Sequence, residues 1–131
     1  MMRKIAGKVR TLRDFELRES RKNYEQFFPD RRAAHEILFE ELGETEDALS
    51  LTIEAGVKLN DCVRQPDFSR EKELDAIRVM ELWEMNTACE AIQTAAMCKK
   101  WRESMGVMDA VADGDSKSAK CLRKTVAPNG R

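Results

Sequence analysis

Acidic side chains are concentrated in the run Glu-Glu-Leu-Gly-Glu-Thr-Glu-Asp at residues 40–47. Carboxylate oxygens are the ligands that Mg²⁺ prefers, so carboxylates at helical spacing are candidates for a metal site. Glu41 and Glu44 are three residues apart, which places them on one side of a helix. The same spacing directs Glu40, Glu44 and Asp47 away from the apolar stripe of their helix, which favours a solvated outer face.

The motif Glu41-x-x-Glu44 resembles the first acidic motif of the all-α nucleotide pyrophosphohydrolases of the MazG type. The resemblance is confined to the acidic run. It implies an all-α fold, Mg²⁺ bound by Glu41 and Glu44, and a Glu-x-x-Asp motif on a later helix. That helix carries Lys72-x-x-Asp75 and Glu81-x-x-Glu84 instead, so the second motif is not matched. Metal-dependent nucleotide hydrolysis is therefore the alternative function.

Two further residues have side chains suited to proton transfer, His35 and Glu90. His35 is the only imidazole and lies in line with apolar residues, so we expect a partly buried structural histidine. Glu90 falls in line with Trp83 and Trp101 on an otherwise apolar side of its helix. A carboxylate there needs a basic partner, or its pKa rises. We expect an ion pair that fixes helix register, and we assign no catalytic residue.

A proline at position 29 separates the first two predicted helices. The spacing of apolar residues predicts the first helix from about Lys8 to Phe28. Asp30 follows the proline, and its carboxylate can accept the free amide hydrogens of a new helix. That second helix is predicted over residues 31–63.

The third helix is predicted over residues 69–112, with Ser69 as its cap behind a break at Pro66. The link between the second and third helices is short, which predicts a long antiparallel hairpin beside a shorter N-terminal helix. Gly56, on the apolar stripe of the second helix, would allow a close helix crossing. The predicted fold class is all-α, a coiled-coil-like helical bundle that oligomerisation would complete.

The third helix is apolar on two sides, and each of these sides must pack against another part of this chain or against another chain. One side carries small residues that suit close approach to the second helix, namely Ala88, Ile92, Ala95 and Ala96. The other side is predicted to bind a protein partner or another copy through Met80, Trp83, Met97, Trp101 and Met105. Tryptophan and methionine are common at interfaces. The predicted function is therefore a helical adaptor, chaperone or assembly subunit, not an enzyme.

Charge is unevenly distributed along the chain, although the total is only −1. Residues 1–32 have a net charge of +5, residues 33–90 of −10, and residues 91–131 of +4. Basic ends and an acidic middle can pair within one chain or between copies. The nearly equal numbers of acidic and basic residues are not typical of a dedicated nucleic-acid-binding protein, which has a strongly basic surface.

The remaining predictions concern cofactors, location and domains. The four cysteines form no Cys-x-x-Cys pair, so we predict no structural zinc and no other cofactor. Unpaired thiols, without a signal peptide or a long apolar run, predict a cytoplasmic protein with no membrane span. We expect one helical domain over residues 1–114 and a basic, flexible tail over residues 115–131. The basic arm over residues 1–13 is expected to be a solvated start of the first helix.

Overall fold

The computed structural model describes residues 2–67 and 69–112, and in these ranges the protein is all-α. The three helices are α1, Met2–Asn23; α2, Arg31–Arg64; and α3, Arg70–Ala112. α2 and α3 form a long hairpin, and α1 is the shorter N-terminal helix, so the predicted fold class is confirmed. The predicted tail over residues 115–131 lies outside the described residues.

The caps predicted for α2 and α3 are both present. The amide of Ala33 donates to Asp30 Oδ1 at 2.8 Å, and the amide of Lys72 donates to Ser69 Oγ at 3.2 Å. These side-chain oxygens satisfy amide hydrogens that have no partner in the first turn of a helix. The predicted bounds of α2 and α3 agree with the observed ones within one residue.

The end of α1 was predicted wrongly, because the helix stops at Asn23 and not at Phe28. A residue that precedes proline is disfavoured in the helical conformation, and Phe28 precedes Pro29. The amide of Phe28 donates instead to Ser104 Oγ at 2.9 Å. This hydrogen bond fixes the segment between α1 and α2, and it places the Phe28 ring in the core at 0% exposure.

The chain divides into two compact units. The first unit comprises residues 1–41 and 92–131, and the second comprises residues 42–91. α1 belongs to the first unit alone, whereas α2 and α3 contribute residues to both.

The first unit contains the larger apolar core. Its buried residues come from all three helices and from the segment after α1, and they are Leu17, Phe28, Ala34, Ala96 and Met97. Two ion pairs connect α1 to α3 beside this core: Lys99 with Asp14 at 2.7 Å, and Arg21 with Glu103. Burying a Leu, Met or Phe side chain contributes roughly 1.5–3 kcal/mol, so this unit has a substantial hydrophobic stabilisation.

The second unit has a seam of small residues between its two helices. Ala48, Thr52 and Ala55 of α2 are at most 5% exposed. The hydroxyl oxygens of Thr52 and Thr87 lie 2.9 Å apart, and each is also within hydrogen-bond distance of the carbonyl four residues earlier. The helices therefore pair across this seam while burying little apolar side chain.

Candidate interaction surface and acidic pair

The surface of the second unit is rich in large apolar side chains. Eleven of its described residues are of this kind and are between 39% and 65% exposed: Leu42, Leu49, Leu51, Ile53, Val57, Val63, Leu74, Ile77, Val79, Leu82 and Met85. Single exposed apolar residues are normal on proteins, but contiguous patches mark binding sites. Whether the eleven side chains indicate a binding site therefore depends on whether they lie next to one another.

Five of these side chains lie on one side of the hairpin, which we call the apolar side: Leu49, Ile53, Val63, Leu74 and Ile77. Each directly follows a residue that is buried or half-buried at the pairing of α2 with α3, namely Ala48, Thr52, Cys62, Glu73 and Ala76. Each step from one residue to the next is a rotation of about 100° around the helix axis. Because α2 and α3 run in opposite directions, this rotation turns both helices toward the same side of the hairpin. The five residues therefore form a stripe along this side, interrupted between Ile53 and Val63, which are ten residues apart on α2.

The apolar side is also acidic. Three exposed carboxylates follow half-buried residues in the same way and so lie along the stripe, those of Glu46, Glu81 and Glu84. Residues 42–91 contain twelve Asp and Glu against five Lys and Arg, a net charge of −7. A basic partner would therefore be attracted to this surface.

The residues predicted to contact a partner point mainly inward. Met97 is 7% exposed and belongs to the core of the first unit, and Trp101 packs against that core. Met80 and Trp83 are half-buried, and Met105 is 45% exposed. Partner binding by these five residues stays a prediction, but most of their surface is already covered.

The prediction that the Ala88 side of α3 packs on α2 was wrong for residues 42–91. A Cβ at Gly56 would lie 3.6 Å from Met80 Cε, and Thr87 contacts Thr52, whereas Ala88 is exposed. The small residues of α2 leave room for the larger side chains of α3, so the two surfaces complement each other in volume. The predicted close crossing at Gly56 is filled by the flexible end of Met80.

Glu44 of α2 and Glu90 of α3 form a carboxylate pair in the second unit. Their oxygens lie within 4.8 Å of each other. Burial, and then the charge of Glu44 and a hydrogen bond with it, raise the pKa of Glu90. An ion pair was expected at position 90, whereas the neighbour that raises this pKa is another acid, Glu44. The expectation that Glu44 points away from α3 was wrong, although this residue is exposed as predicted.

Glu41 precedes Glu44 by one turn of α2 and belongs to the first unit. Glu41 is 5% exposed. It lines a cleft of about 230 Å³ in the first unit, together with Glu16 and Glu19 of α1. The second acidic motif that the resemblance implies is not completed at Glu90 either, because Gln93 stands three residues after it.

His35 is exposed, so the prediction of a partly buried histidine was wrong. Its ring stacks on that of Phe39, one turn further along α2, with the ring centroids 4.3 Å apart. The Cys98 thiol is free and exposed. Neither side chain has a surrounding that would activate it as a nucleophile or base.

A buried pair of opposite charges in the first unit was missed from the sequence. Glu25 and Lys100 are each 1% exposed. The Lys100 ammonium lies 4.8 Å from the centroid of the Phe28 ring, a cation–π contact. Among the described residues, no donor reaches Glu25 Oε1. Burial raises the pKa of Glu25, and the charge of Lys100 opposes this effect.

No family model, characterised protein or solved structure matches this chain. The resemblance of the acidic motif to the pyrophosphohydrolases is therefore supported by its own residues alone. Among the described residues, no helix is long and apolar enough to cross a membrane. Two features of the described residues bear on function, the apolar side of the hairpin and the Glu44–Glu90 pair.

Proposed function

We propose that the protein is a helical assembly module that associates, with a protein partner or with another copy, through the apolar side of its hairpin. The observation that carries this proposal is the row of five large apolar side chains that are 42–60% exposed. They belong to a unit whose own seam buries mainly alanine and threonine. Two helices cannot cover their outer apolar sides, whereas further helices packed on them can.

The energy available from covering this surface is sufficient for association. Full burial of a side chain of this size contributes roughly 1.5–3 kcal/mol, and each of the five is about half exposed. Covering all five would therefore contribute on the order of 5 kcal/mol before the cost of association. The proposal keeps the predicted class of function, but it moves the contact surface away from the Trp83 and Trp101 side of α3.

Lysine substitutions on the two sides of the hairpin test this proposal. Ile53→Lys with Ile77→Lys places charge on the apolar side, and Leu51→Lys with Val79→Lys is the matched control on the opposite side. Light scattering should give a mass above 15.0 kDa for the wild type and the control, and the monomer mass for the apolar-side variant. Circular dichroism should show the same helical content in all three.

Two results would contradict the proposal. One is a wild-type chain that stays at the monomer mass over a wide range of concentrations. The other is an apolar-side variant that associates as strongly as the control.

Metal-dependent nucleotide hydrolysis is a second candidate function, and the Glu44–Glu90 pair is the observation that favours it. These two carboxylates would hold a divalent cation, which would stabilise negative charge on phosphate oxygens. Metal binding favours the ionised carboxylate, so a bound cation would oppose the rise in the pKa of Glu90. Mn²⁺ should then raise the melting temperature of the wild type and of Glu84→Gln, but not of Glu90→Gln.

The hydrolysis itself is tested by incubating the protein with Mg²⁺ and nucleoside triphosphates. Release of pyrophosphate that is lost in both Glu44→Gln and Glu90→Gln would replace the assembly function with this one. Release that persists in both variants would exclude the acidic pair as its source.

A further inference from the structure

We propose that the apolar side of the hairpin binds the N-terminal part of α1 from a second copy of this chain. The inference rests on the proposed function, because it names the partner of the same surface. The occupant is the segment of residues 3–13, which we call the basic segment.

The basic segment is an amphipathic helix that nothing in the described part of its own chain covers. Residues 3–12 are all exposed. Ile5, Val9 and Leu12 are 41–49% exposed and follow each other at intervals of four and three residues, so they form one apolar stripe. The segment carries five positive charges and no negative one, on Arg3, Lys4, Lys8, Arg10 and Arg13.

The basic segment and the apolar side complement each other in chemistry and in length. A stripe of Ile, Val and Leu would face a stripe of Leu, Ile and Val. A charge of +5 would meet a unit with a charge of −7, beside Glu46, Glu81 and Glu84. Eleven helical residues extend about 16 Å, and the α2 part of the apolar side, from Leu49 to Val63, extends about 21 Å. One segment therefore fits along one hairpin.

A second copy is the occupant because both surfaces are exposed in one and the same chain. Between two copies the exchange is reciprocal, since each copy gives a basic segment and receives one. Reciprocal contacts form together and close the assembly as a dimer.

Charge reversal on each surface, alone and in combination, tests the pairing. The first variant, Lys4→Glu with Lys8→Glu, lowers the net charge of the basic segment from +5 to +1. The second, Glu81→Lys with Glu84→Lys, replaces two of the carboxylates along the apolar side with ammonium groups. Each variant alone removes attraction and places the substituted side chains beside residues of like charge, so its dimer dissociation constant should rise on the order of tenfold or more. A mixture of the two variants restores opposite charges at both contacts and should form a heterodimer.

The control is Arg18→Glu with Lys22→Glu, which reverses two exposed basic residues of α1 outside the basic segment. Its dissociation constant should match that of the wild type. Added salt should weaken the wild-type dimer, because it screens exposed charges. Sedimentation equilibrium measures all of these masses, and circular dichroism verifies that each variant is folded.

The outcomes separate this inference from the proposed function. If Ile53→Lys with Ile77→Lys abolishes association while Lys4→Glu with Lys8→Glu does not, another surface of the second copy occupies the hairpin. The inference is then overturned and the proposed function stands. Folded variants that stay monomeric when mixed also overturn the inference. If neither pair of substitutions affects association, both are wrong.

Discussion

Glu25 is a carboxyl group whose titration should appear in the stability of the protein. It is 1% exposed, and burial raises its pKa above the ordinary value of 4.5. An acid with a raised pKa in the folded state holds its proton more tightly there than in the unfolded chain. Its stabilising effect is complete below pH 4.5 and is lost as the pH rises through the folded-state pKa.

We therefore expect Glu25→Gln to reduce the loss of stability as the pH rises above 4.5. One proton released on unfolding changes the free energy of unfolding by at most about 1.4 kcal/mol per pH unit, so this is the largest slope that the substitution can remove. Urea unfolding at a series of pH values measures it. The exposed Glu40→Gln is the control and should keep the wild-type slope. An unchanged slope in Glu25→Gln would mean that this carboxyl is not the titrating group.

Glu90 and Glu25 both have a raised pKa, but only the burial of Glu90 could be predicted from the sequence. Glu90 interrupts an apolar side of a long predicted helix, and the period of that helix alone indicates a partly buried carboxylate. Glu25 lies two residues after the end of α1, where no period applies. Its surroundings include Lys100, 75 residues further along the chain, so no local pattern could indicate its burial.

The elements themselves could be predicted well, and the way in which they face each other could not. Asp30 and Ser69 mark the starts of α2 and α3 because capping is a local effect of side chain on backbone. α3, however, is apolar on more than one side, so its period does not select the side that meets α2. That choice depends on the fit of Met80 against Gly56 and of Thr87 against Thr52, which is a tertiary property. For the same reason the period could not show that Met97 and Trp101 face the core of the first unit.

The two glycines inside α2 allow a prediction about this helix. A Cβ at Gly43 would meet nothing within 4 Å, and one at Gly56 would make an ordinary contact with Met80 Cε at 3.6 Å. Gly43→Ala and Gly56→Ala should each raise the free energy of unfolding by roughly 0.5–1 kcal/mol, since alanine favours helix. The difference between them in denaturant titrations reports the Met80 contact. A less stable Gly56→Ala protein would contradict the room observed at this position.

The whole molecule consists of two compact units with different cores, and each unit contains one tryptophan. Trp101 packs against the core that holds Phe28 and Met97, whereas Trp83 lies in the unit of the small-residue seam. Each single-tryptophan variant reports on one unit: Trp101→Phe leaves the fluorescence of Trp83, and Trp83→Phe leaves that of Trp101. The Trp83 signal should show unfolding at a lower urea concentration than the Trp101 signal. The reason is that the seam buries less apolar surface.

Protein concentration provides the control for this comparison. If a second copy covers the hairpin, a higher concentration should shift the Trp83 transition to more urea by mass action, and the Trp101 transition less. Coincident transitions at every concentration would show that the two units unfold as one.

The core of the first unit joins Leu17, Phe28 and Ala34 to Ala96 and Met97, which are synthesised much later. Leu17 and Phe28 are buried against Ala96 and Met97, so they have no partners until the ribosome has passed the middle of α3. The second unit needs only residues 42–91, which are contiguous and emerge earlier. Local contacts also close faster than distant ones. On a nascent chain the two helices of the hairpin therefore pair first. The apolar side is then exposed to other nascent chains on the same polysome before α1 has a core on which to pack.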